Sequence, residues 1–596
     1  MPDSRDTQVT TAPEAAALSP SLLEIVKNAT YHILEEATVR IMRSGYSTIM
    51  KESRDISVSL HDLSGDIIAQ PNVQPVHLGN LQAQVKGVIK RYADTVRPGD
   101  SYIVNHPYEE CQNHASDVTL ISPVFHAGKL VGWSGNTAHK PDIGGKVPGS
   151  NAGDATDTIQ EGLLIPPVRV MSDYHTIDGS VWEIIRANTR VPDLTLGDIR
   201  AQIGANFVIE QKISELLTKY GKDTVIACWG EWIRICETTL RERIRSTFPD
   251  GDFAAEDFMD DDGITLDRPY RMAVRISRRG DELHFHLDSD EQAAGPINFR
   301  PCMTAAAAYF CVKAIFAQDL PNNVGLQRPI RLHFPPVGSL INPAYLAPVN
   351  MYSMSSLRMA DVLLRALAQA LPDRVPASSS GYISGIGFSG RHDAARRWVH
   401  YEIYVGGSGA RPDADGMSGM DSNVTNTMNA PVEAVEVEFP LRVERYGLIP
   451  DSGGAGTFRG GLGIRRDYRI LAEQAALSLR SDRNKFRPQG LLGGGDGSLA
   501  SCVANPDSNP PRPLHSKATA VVLRQGDVVS FRTPGGGGRG DPATRDPAHV
   551  LQDVRDGYVS LCAAKEKYGV VVNPKTSKMN EAATRKWRAE MCRAKG

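Results

Sequence analysis

Apolar residues recur every three or four positions between residues 22 and 41, a spacing that predicts an amphipathic α-helix. Ser21 and Glu24 have the spacing of a capping box at the start of this helix, and Gly45 stands where a C-cap glycine is expected. The residues before the helix are polar and show no periodicity. We therefore expect residues 1–17 to form a disordered leader.

The pattern changes to alternation beyond this helix. Residues 56–60 alternate between apolar and polar positions, and a turn leads to a second short strand at 67–69, which predicts a β-hairpin. Helical periodicity returns from residue 198 to about 248, with a break at Gly221. Between these segments we expect one helix and three short strands, at 79–93, 102–105, 118–121 and 130–134.

The second half of the chain has a different character. Residues 268–290 alternate again, helices are predicted near 303–318 and 356–371, and about half of the 54 glycines fall between residues 375 and 540. A chain of 596 residues is too long for one ordinary core, so several domains are expected. The predicted fold class is multidomain α+β, with a mixed domain over 18–265, a β-rich domain over 266–545 and a helical C-terminal tail over 546–596.

Composition excludes several classes of function. The formal net charge is −3 with 23% charged residues, a balance that argues against a general nucleic-acid or membrane-surface binder. The N-terminal residues lack a signal-peptide layout, and no apolar run is long enough to span a bilayer. The eight cysteines are scattered without a CxxC pair. We therefore expect reduced thiols in a cytoplasmic protein, rather than a disulfide framework or a cysteine zinc site.

Motifs for nucleotide binding are missing from the sequence. No Gly-x-x-x-x-Gly-Lys-Ser/Thr phosphate loop occurs. A Gly-x-Gly-x-x-Gly sequence runs from Gly385 to Gly390, but a strand is predicted after it, whereas a dinucleotide site needs a helix N-terminus to receive the pyrophosphate. If the reaction uses a nucleotide, we expect another chain to bind it.

Seven of the fifteen histidines lie between residues 32 and 139. His114 and Asp117 are three residues apart and can meet one ion from a turn, and His139 can join them if its strand end lies alongside. Asp55, just before the first predicted strand, is the best fourth candidate. Two imidazoles with one or two carboxylates form the ligand set of a catalytic divalent metal site with open positions. The alternative is that these side chains only satisfy backbone groups of a loop rich in proline and glycine.

The metal candidates belong to a longer series of motifs that runs from about residue 20 to 560. In chain order the motifs are His114-x-x-Asp117-Val-Thr, His139-x-x-Asp142-Ile-Gly-Gly-x-x-Pro-Gly-Ser, Gln160-Glu161-Gly162-Leu-Leu-Ile-Pro-Pro, Gly295-Pro296-Ile297-Asn298, Asp451-Ser-Gly-Gly-Ala-Gly456 and Thr533-Pro-Gly-Gly-Gly-Gly538. In this order they resemble the hydantoinase B family. That family includes the B subunits of ATP-dependent N-methylhydantoinases, 5-oxoprolinases and caprolactamases, and it is related to the large subunits of acetone and acetophenone carboxylases.

The resemblance implies a metal-carrying subunit of an ATP-dependent enzyme that opens a cyclic amide, such as a hydantoin, oxoproline or lactam. It also implies a hydantoinase A-type partner, which binds ATP and phosphorylates the substrate, and a divalent metal, zinc or manganese. The implied metal ligands are Asp55, His114, Asp117 and His139. Asp142 and Glu161 are candidates for general bases or for groups that orient the ligand imidazoles, and the alternative for each is a carboxylate that braces its loop.

Two departures from the family pattern leave the substrate open. Hydantoinase relatives typically read Gly-Gly-Thr before the first ligand histidine, whereas this chain has Cys111-Gln112-Asn113. They often carry a second histidine after the equivalent of His139, where this chain has Lys140. The alternative hypothesis is a subunit of an ATP-dependent ketone carboxylase, although the length of the chain favours amide opening. A third hypothesis is a scaffold without catalytic function that orders the ATPase partner.

Overall fold

The computed structural model of the chain describes residues 18–393 and 396–595, so the predicted leader lies outside the described residues. The helices are α1 (Pro20–Ser44), α2 (Thr48–Lys51), α3 (Leu81–Tyr92), α4 (Gly179–Asn188), α5 (Pro192–Tyr220), α6 (Lys222–Thr247), α7 (Pro301–Phe316), α8 (Tyr352–Ala370), α9 (Val432–Glu438), α10 (Pro547–Arg555), α11 (Leu561–Glu566) and α12 (Glu581–Lys595). The strands are β1 (Ile56–His61), β2 (Ile67–Ala69), β3 (Ser101–Val104), β4 (Asp117–His126), β5 (Lys129–His139), β6 (Val168–Ser172), β7 (Thr176–Ile177), β8 (Asp252–Met259), β9 (Tyr270–Arg279), β10 (Glu282–Ser289), β11 (Ile330–His333), β12 (Ile383–Arg391), β13 (Arg397–Val405), β14 (Leu441–Leu448), β15 (Ile464–Ile470), β16 (Gln474–Arg480), β17 (Ser501–Ala504), β18 (Arg512–Pro513), β19 (Val521–Arg524), β20 (Val528–Arg532), β21 (Val572–Asn573) and β22 (Lys578–Met579). Helices and several sheets alternate along the chain, and the predicted α+β class is confirmed.

Helix α1 begins earlier than the capping box predicts. The side chain of Ser19, rather than that of Ser21, accepts a hydrogen bond from the Leu22 N–H. The proline that follows Ser19 favours this start, because its fixed φ angle suits the first helical position. The other end agrees with the prediction, since the Gly45 N–H donates to the Ile41 carbonyl at 2.8 Å.

Seven strands form the sheet that carries the predicted metal ligands, in the order β2-β1-β5-β4-β3-β6-β7. In the antiparallel β4–β5 hairpin Asp117 pairs with His139, and between β1 and β5 Ile56 pairs with Ala138. The start of β4, the end of β5 and the residue before β1 therefore meet at one end of three neighbouring strands. The His139 N–H also donates to the Asp55 carbonyl at 3.1 Å.

Helix α5 contacts this sheet through polar as well as apolar side chains. Gln202 Nε2 donates to the Val118 carbonyl and to Asn136 Oδ1, each at 2.9 Å. Gln202 Oε1 accepts from the buried Lys140 ammonium at 2.6 Å. Burial lowers the pKa of Lys140 to about 8. Lys140, which stands where hydantoinase relatives often carry a second histidine, is therefore held by α5.

The second half contains three larger sheets, of which two have four strands and one has five, ordered β11-β10-β9-β8, β13-β12-β16-β19 and β14-β15-β20-β17-β18. The predicted boundary at residue 265 falls between β8 and β9, which pair directly in the first of these sheets. The sequence from Gly385 to Gly390 lies inside β12, so its glycines are strand residues and the exclusion of a dinucleotide loop is confirmed. The segment after residue 546 holds α10, α11 and α12 with a small hairpin of β21 and β22.

The prediction of reduced thiols is wrong for one pair of cysteines. Cys111, in the loop before His114, and Cys302, the second residue of α7, form a disulfide across 191 residues of sequence. The two cysteines lie in different predicted domains, so no local spacing could indicate the pairing. The free thiols among the described side chains are Cys228, Cys236, Cys311, Cys502 and Cys562. None of the described helices combines the length and apolar character needed to cross a membrane.

Candidate metal centre

His114, Asp117 and His139 converge in the interior of the protein. His114 Nε2 lies 3.2 Å and His139 Nδ1 lies 3.1 Å from the same oxygen, Asp117 Oδ1. One ligand atom from each residue lies within 4.8 Å of the other two, and all three residues are buried. Two imidazole nitrogens and a carboxylate oxygen at these separations form a donor set for a divalent metal with open coordination positions.

The hydrogen bonds around His114 determine which of its two ring nitrogens carries the proton. Asn350 Oδ1 accepts from Arg480 Nη1 at 2.8 Å, and Asn350 Nδ2 donates to the Ser150 carbonyl at 2.6 Å. The Asn350 atom that lies 2.6 Å from His114 Nδ1 is therefore an oxygen, and Nδ1 carries the proton. This leaves a lone pair on Nε2, which is buried without a hydrogen-bond partner among the described residues. The residues present therefore fit a divalent cation.

The two carboxylates have opposite pKa shifts. Burial raises the pKa of Asp55 well above its usual range, and the negative charge of Asp117 adds to this effect. Burial acts in the same direction on Asp117, but the surrounding imidazoles, that of His114 foremost, hold the pKa of Asp117 well below its usual range. Asp55 Oδ2 lies 4.0 Å from His139 Nδ1, but Asp55 is not one of the three residues whose ligand atoms lie within 4.8 Å of one another.

Residues from the second half of the chain complete the surroundings of this centre, and no sequence motif indicates them. The Tyr352 hydroxyl donates to Asp117 Oδ2 at 3.0 Å across 235 residues of sequence. The Tyr401 ring stacks on His139 with 4.6 Å between the ring centroids, and Arg480 donates to the Tyr401 hydroxyl. These residues belong to no motif around the ligands, so only the folded chain identifies them.

Glu161 acts on His114 through Asn350. Glu161 Oε1 accepts from the Asn350 N–H at 2.7 Å, and Oε2 accepts from the Val349 N–H at 3.0 Å. Burial raises the pKa of Glu161 to about 7, although these two N–H groups oppose the shift. The carboxylate thus fixes the backbone of Asn350, whose side chain orients the His114 imidazole.

Asp142 holds the turn that follows His139. Its Oδ1 accepts from the Gly144 N–H at 3.1 Å and the Arg190 N–H at 2.9 Å. Its Oδ2 accepts from the Gly149 N–H at 2.9 Å and from Arg190 Nη1 at 3.0 Å. These bonds engage both carboxylate oxygens with the turn and with Arg190.

A cavity of about 370 Å³ lies between residues 70–78, helix α7 and residues 420–426. Asp421 forms part of its wall, and the negative charge of Asp421 contributes, after burial and Asp117, to the raised pKa of Asp55. None of Asp55, His114, Asp117 and His139 lines this cavity. Its volume is within the range of pockets that bind small molecules.

Comparisons with known proteins agree with the motif resemblance. The beta subunit of caprolactamase from Pseudomonas jessenii is 31% identical over 583 residues, which cover 96% of this chain and 99% of the relative. The crystal structure of ATP-dependent caprolactamase from the same organism has a TM-score of 0.89 at 30% identity and covers 96% of this chain and 100% of that chain. The nucleotide-free structure of acetone carboxylase has a TM-score of 0.88 at 20% identity, covers 97% of this chain and 83% of that chain, and shows a shared fold alone. The Hydantoinase B/oxoprolinase family model matches residues 19–542, and the chain belongs to that family.

Proposed function

We propose that this member of the hydantoinase B/oxoprolinase family is the metal-carrying subunit of an ATP-dependent enzyme that hydrolyses a cyclic amide, such as a hydantoin, oxoproline or lactam. The observation that carries the proposal is the convergence of His114, Asp117 and His139, in which the His114 tautomer leaves Nε2 free to bind a cation. Zinc and manganese both suit two imidazoles with carboxylates.

An amide carbonyl resists hydrolysis because resonance with its nitrogen stabilises it. We infer that a hydantoinase A-type partner uses ATP to phosphorylate the carbonyl oxygen, and that the activated species is hydrolysed in this subunit. A divalent cation held in the centre would acidify water and polarise an oxygen of the substrate. Asp117 provides the anionic ligand and His114 and His139 the neutral ones, with Asp55 as the fourth.

The remaining residues have supporting roles in this proposal. The Asp55 side chain is 13% exposed, whereas those of His114 and Asp117 are almost fully buried, so Asp55 is the ligand on the accessible side. Glu161 orients His114 through Asn350, and we assign it a positioning role. Asp142 keeps the turn after His139 in place, which is also a positioning role.

The need for a partner is supported by two observations. The sequence lacks a phosphate loop, and the relative of nearly equal length in Pseudomonas jessenii is named as a beta subunit. The corresponding crystal structure is described as an ATP-dependent caprolactamase. A separate ATP-binding subunit reconciles the ATP requirement of that enzyme with the absence of a phosphate loop here.

The test is an assay of this chain co-purified with its ATPase partner. We expect ATP-dependent hydrolysis of hydantoins or lactams without consumption of bicarbonate, and about one equivalent of zinc or manganese by elemental analysis. His114→Ala should lose both the metal and the turnover. His126→Ala is the matched control, because His126 lies at the far end of β4, where its Nδ1 is 2.9 Å from the Ser214 hydroxyl.

The outcomes separate the hypotheses. Bicarbonate consumption with a ketone substrate would replace the hydrolase proposal by the carboxylase alternative. Absence of bound metal together with full turnover of His114→Ala would leave the scaffold hypothesis.

A further inference from the structure

His77 is a buried histidine that lies next to the metal ligands and that no motif indicates. It belongs to a short 3-10 turn, Pro75–Leu78, and its exposed fraction is 1%. His77 Nδ1 lies 2.8 Å from the Ser57 hydroxyl. Ser57 is on β1, two residues after Asp55, so this bond connects the turn to the strand that follows a predicted ligand.

The other ring nitrogen of His77 faces Asp117. His77 Nε2 lies 3.8 Å from Asp117 Oδ2 and is buried without a hydrogen-bond partner among the described residues. An ionised carboxylate only accepts hydrogen bonds, so the favourable tautomer carries its proton on Nε2. In that tautomer Nδ1 accepts from the Ser57 hydroxyl at 2.8 Å, and the hydroxyl gives up its longer contact of 3.5 Å with the Gln74 carbonyl.

Asp117 Oδ2 accepts two hydrogen bonds and has His77 Nε2 beside it at 3.8 Å, while Oδ1 faces the nitrogens of His114 and His139. Asn113 Nδ2 and the Tyr352 hydroxyl each donate to Oδ2 at 3.0 Å, and His77 approaches from a third element. Oδ1 lies 3.1–3.2 Å from the nitrogens of His139 and His114. Because the two oxygens have different neighbours, the Asp117 carboxylate is oriented without a bound cation.

We propose that His77 is a positioning residue of the metal centre, which holds Asp117 Oδ2 so that Oδ1 is presented to the cation. The inference rests on the proposed function, because it assumes that His114, Asp117 and His139 bind a divalent metal. Residues that orient a metal ligand in this way typically contribute about 10–100-fold to metal affinity. His77 itself provides no atom to the ligand group.

Two substitutions of His77 separate this role from simple core packing. In His77→Gln the side-chain amide nitrogen can reach the position of Nε2 and present a donor to Asp117. In His77→Asn the shorter amide reaches only the position of Nδ1, so the bond to Ser57 can persist while the donor to Asp117 is lost. His61→Gln is the matched control, because His61 is a fully buried histidine of β1 that bonds the Ser59 hydroxyl at 2.7 Å and lies outside the ligand group.

The experiment titrates the metal-depleted full-length chain with Co²⁺ and with Zn²⁺. Calorimetry gives the affinity, and the visible absorption of Co²⁺ reports the ligand geometry. We expect His77→Asn to raise the Kd about 10–100-fold and to alter the Co²⁺ spectrum, while His77→Gln and His61→Gln stay within about threefold of the wild type. Circular dichroism checks that each variant is folded, and if the His77 variants do not fold, Ser57→Ala should weaken Co²⁺ binding by freeing the tautomer.

Equal Kd values and equal spectra for His77→Asn, His77→Gln and the wild type would overturn the inference and leave the proposed function intact. A wild-type chain that binds neither ion would overturn the proposed metal centre itself.

Discussion

Replacing Glu161 by glutamine removes the charge of a buried carboxyl group and preserves its shape. In the folded chain burial raises the pKa of Glu161 from 4.5 to about 7. A carboxyl group with a higher pKa in the folded state binds its proton more tightly there. Its stabilising contribution is therefore complete below pH 4.5 and is lost as the pH rises through about 7. Glutamine resembles the protonated carboxyl and does not titrate, so the variant should lack this loss.

The magnitude follows from the two pKa values. Between about pH 5 and about pH 8 the wild-type chain should lose roughly 2–3 kcal/mol of unfolding free energy relative to Glu161→Gln. A second effect is independent of pH. The glutamine NH₂ group cannot accept from one of the backbone N–H groups of Val349 and Asn350, which costs about 1–3 kcal/mol throughout. The pH-dependent part is therefore the diagnostic quantity.

The assay is urea unfolding of the metal-depleted full-length chain, followed by circular dichroism at several pH values in this window. Glu215→Gln, at an exposed position on α5, controls for the loss of one negative charge. We expect the stability of Glu161→Gln to rise relative to the wild type as the pH increases, and the difference for Glu215→Gln to stay flat. A wild-type-minus-Glu161→Gln difference that is constant across the window would refute the raised pKa and the reasoning built on it.

Three further perturbations test other parts of the structure. Asp117→Asn keeps the size of the side chain but removes the proposed anionic ligand. Its metal affinity should therefore fall by more than the ~10–100-fold that is typical of an orienting residue. Retention of metal in elemental analysis would contradict the proposed metal centre. Cys302→Ser should lower the unfolding free energy by about 2–5 kcal/mol in oxidising buffer, because the lost crosslink restricts a long loop of the unfolded chain. In excess reductant the variant and the wild type should be equally stable. Equal stability of the two proteins in both buffers would contradict the Cys111–Cys302 pairing. Gly79→Ala places a Cβ 2.0 Å from the Cys302 carbonyl oxygen. Helix α7 must then shift, which should cost about 1–3 kcal/mol of unfolding free energy. An unchanged melting temperature would contradict this contact.

The elements that follow from local pattern were predictable from the sequence. Residues 56–60 alternate and form β1, and the break at Gly221 separates α5 from α6. The cap of α1 was misplaced, because Ser19 and Ser21 both precede helical periodicity and only the proline between them decides the start. Local signals thus gave the type of each element more reliably than its first residue.

The centre was predictable only in part, for a physical reason. His114 and Asp117 are close in sequence, and strand pairing brings His139 opposite Asp117. Asn350 and Arg480 reach the same place through long-range packing, which leaves no periodic trace in the sequence. The Cys111–Cys302 disulfide has the same origin, and so it was missed as well.

The origin of the side chains around the centre has a consequence for the lifetime of the protein. The proposed ligands come from residues 55–139, whereas Asn350 and Arg480, which set the His114 tautomer, come from the other half of the chain. Only a chain whose halves have docked presents a finished centre, so a cation bound there would stabilise the docked form by about 2.7 kcal/mol at a free concentration 100 times its Kd. Metal supply would then govern how long the folded subunit survives proteolysis in the cell, in addition to whether it turns over substrate.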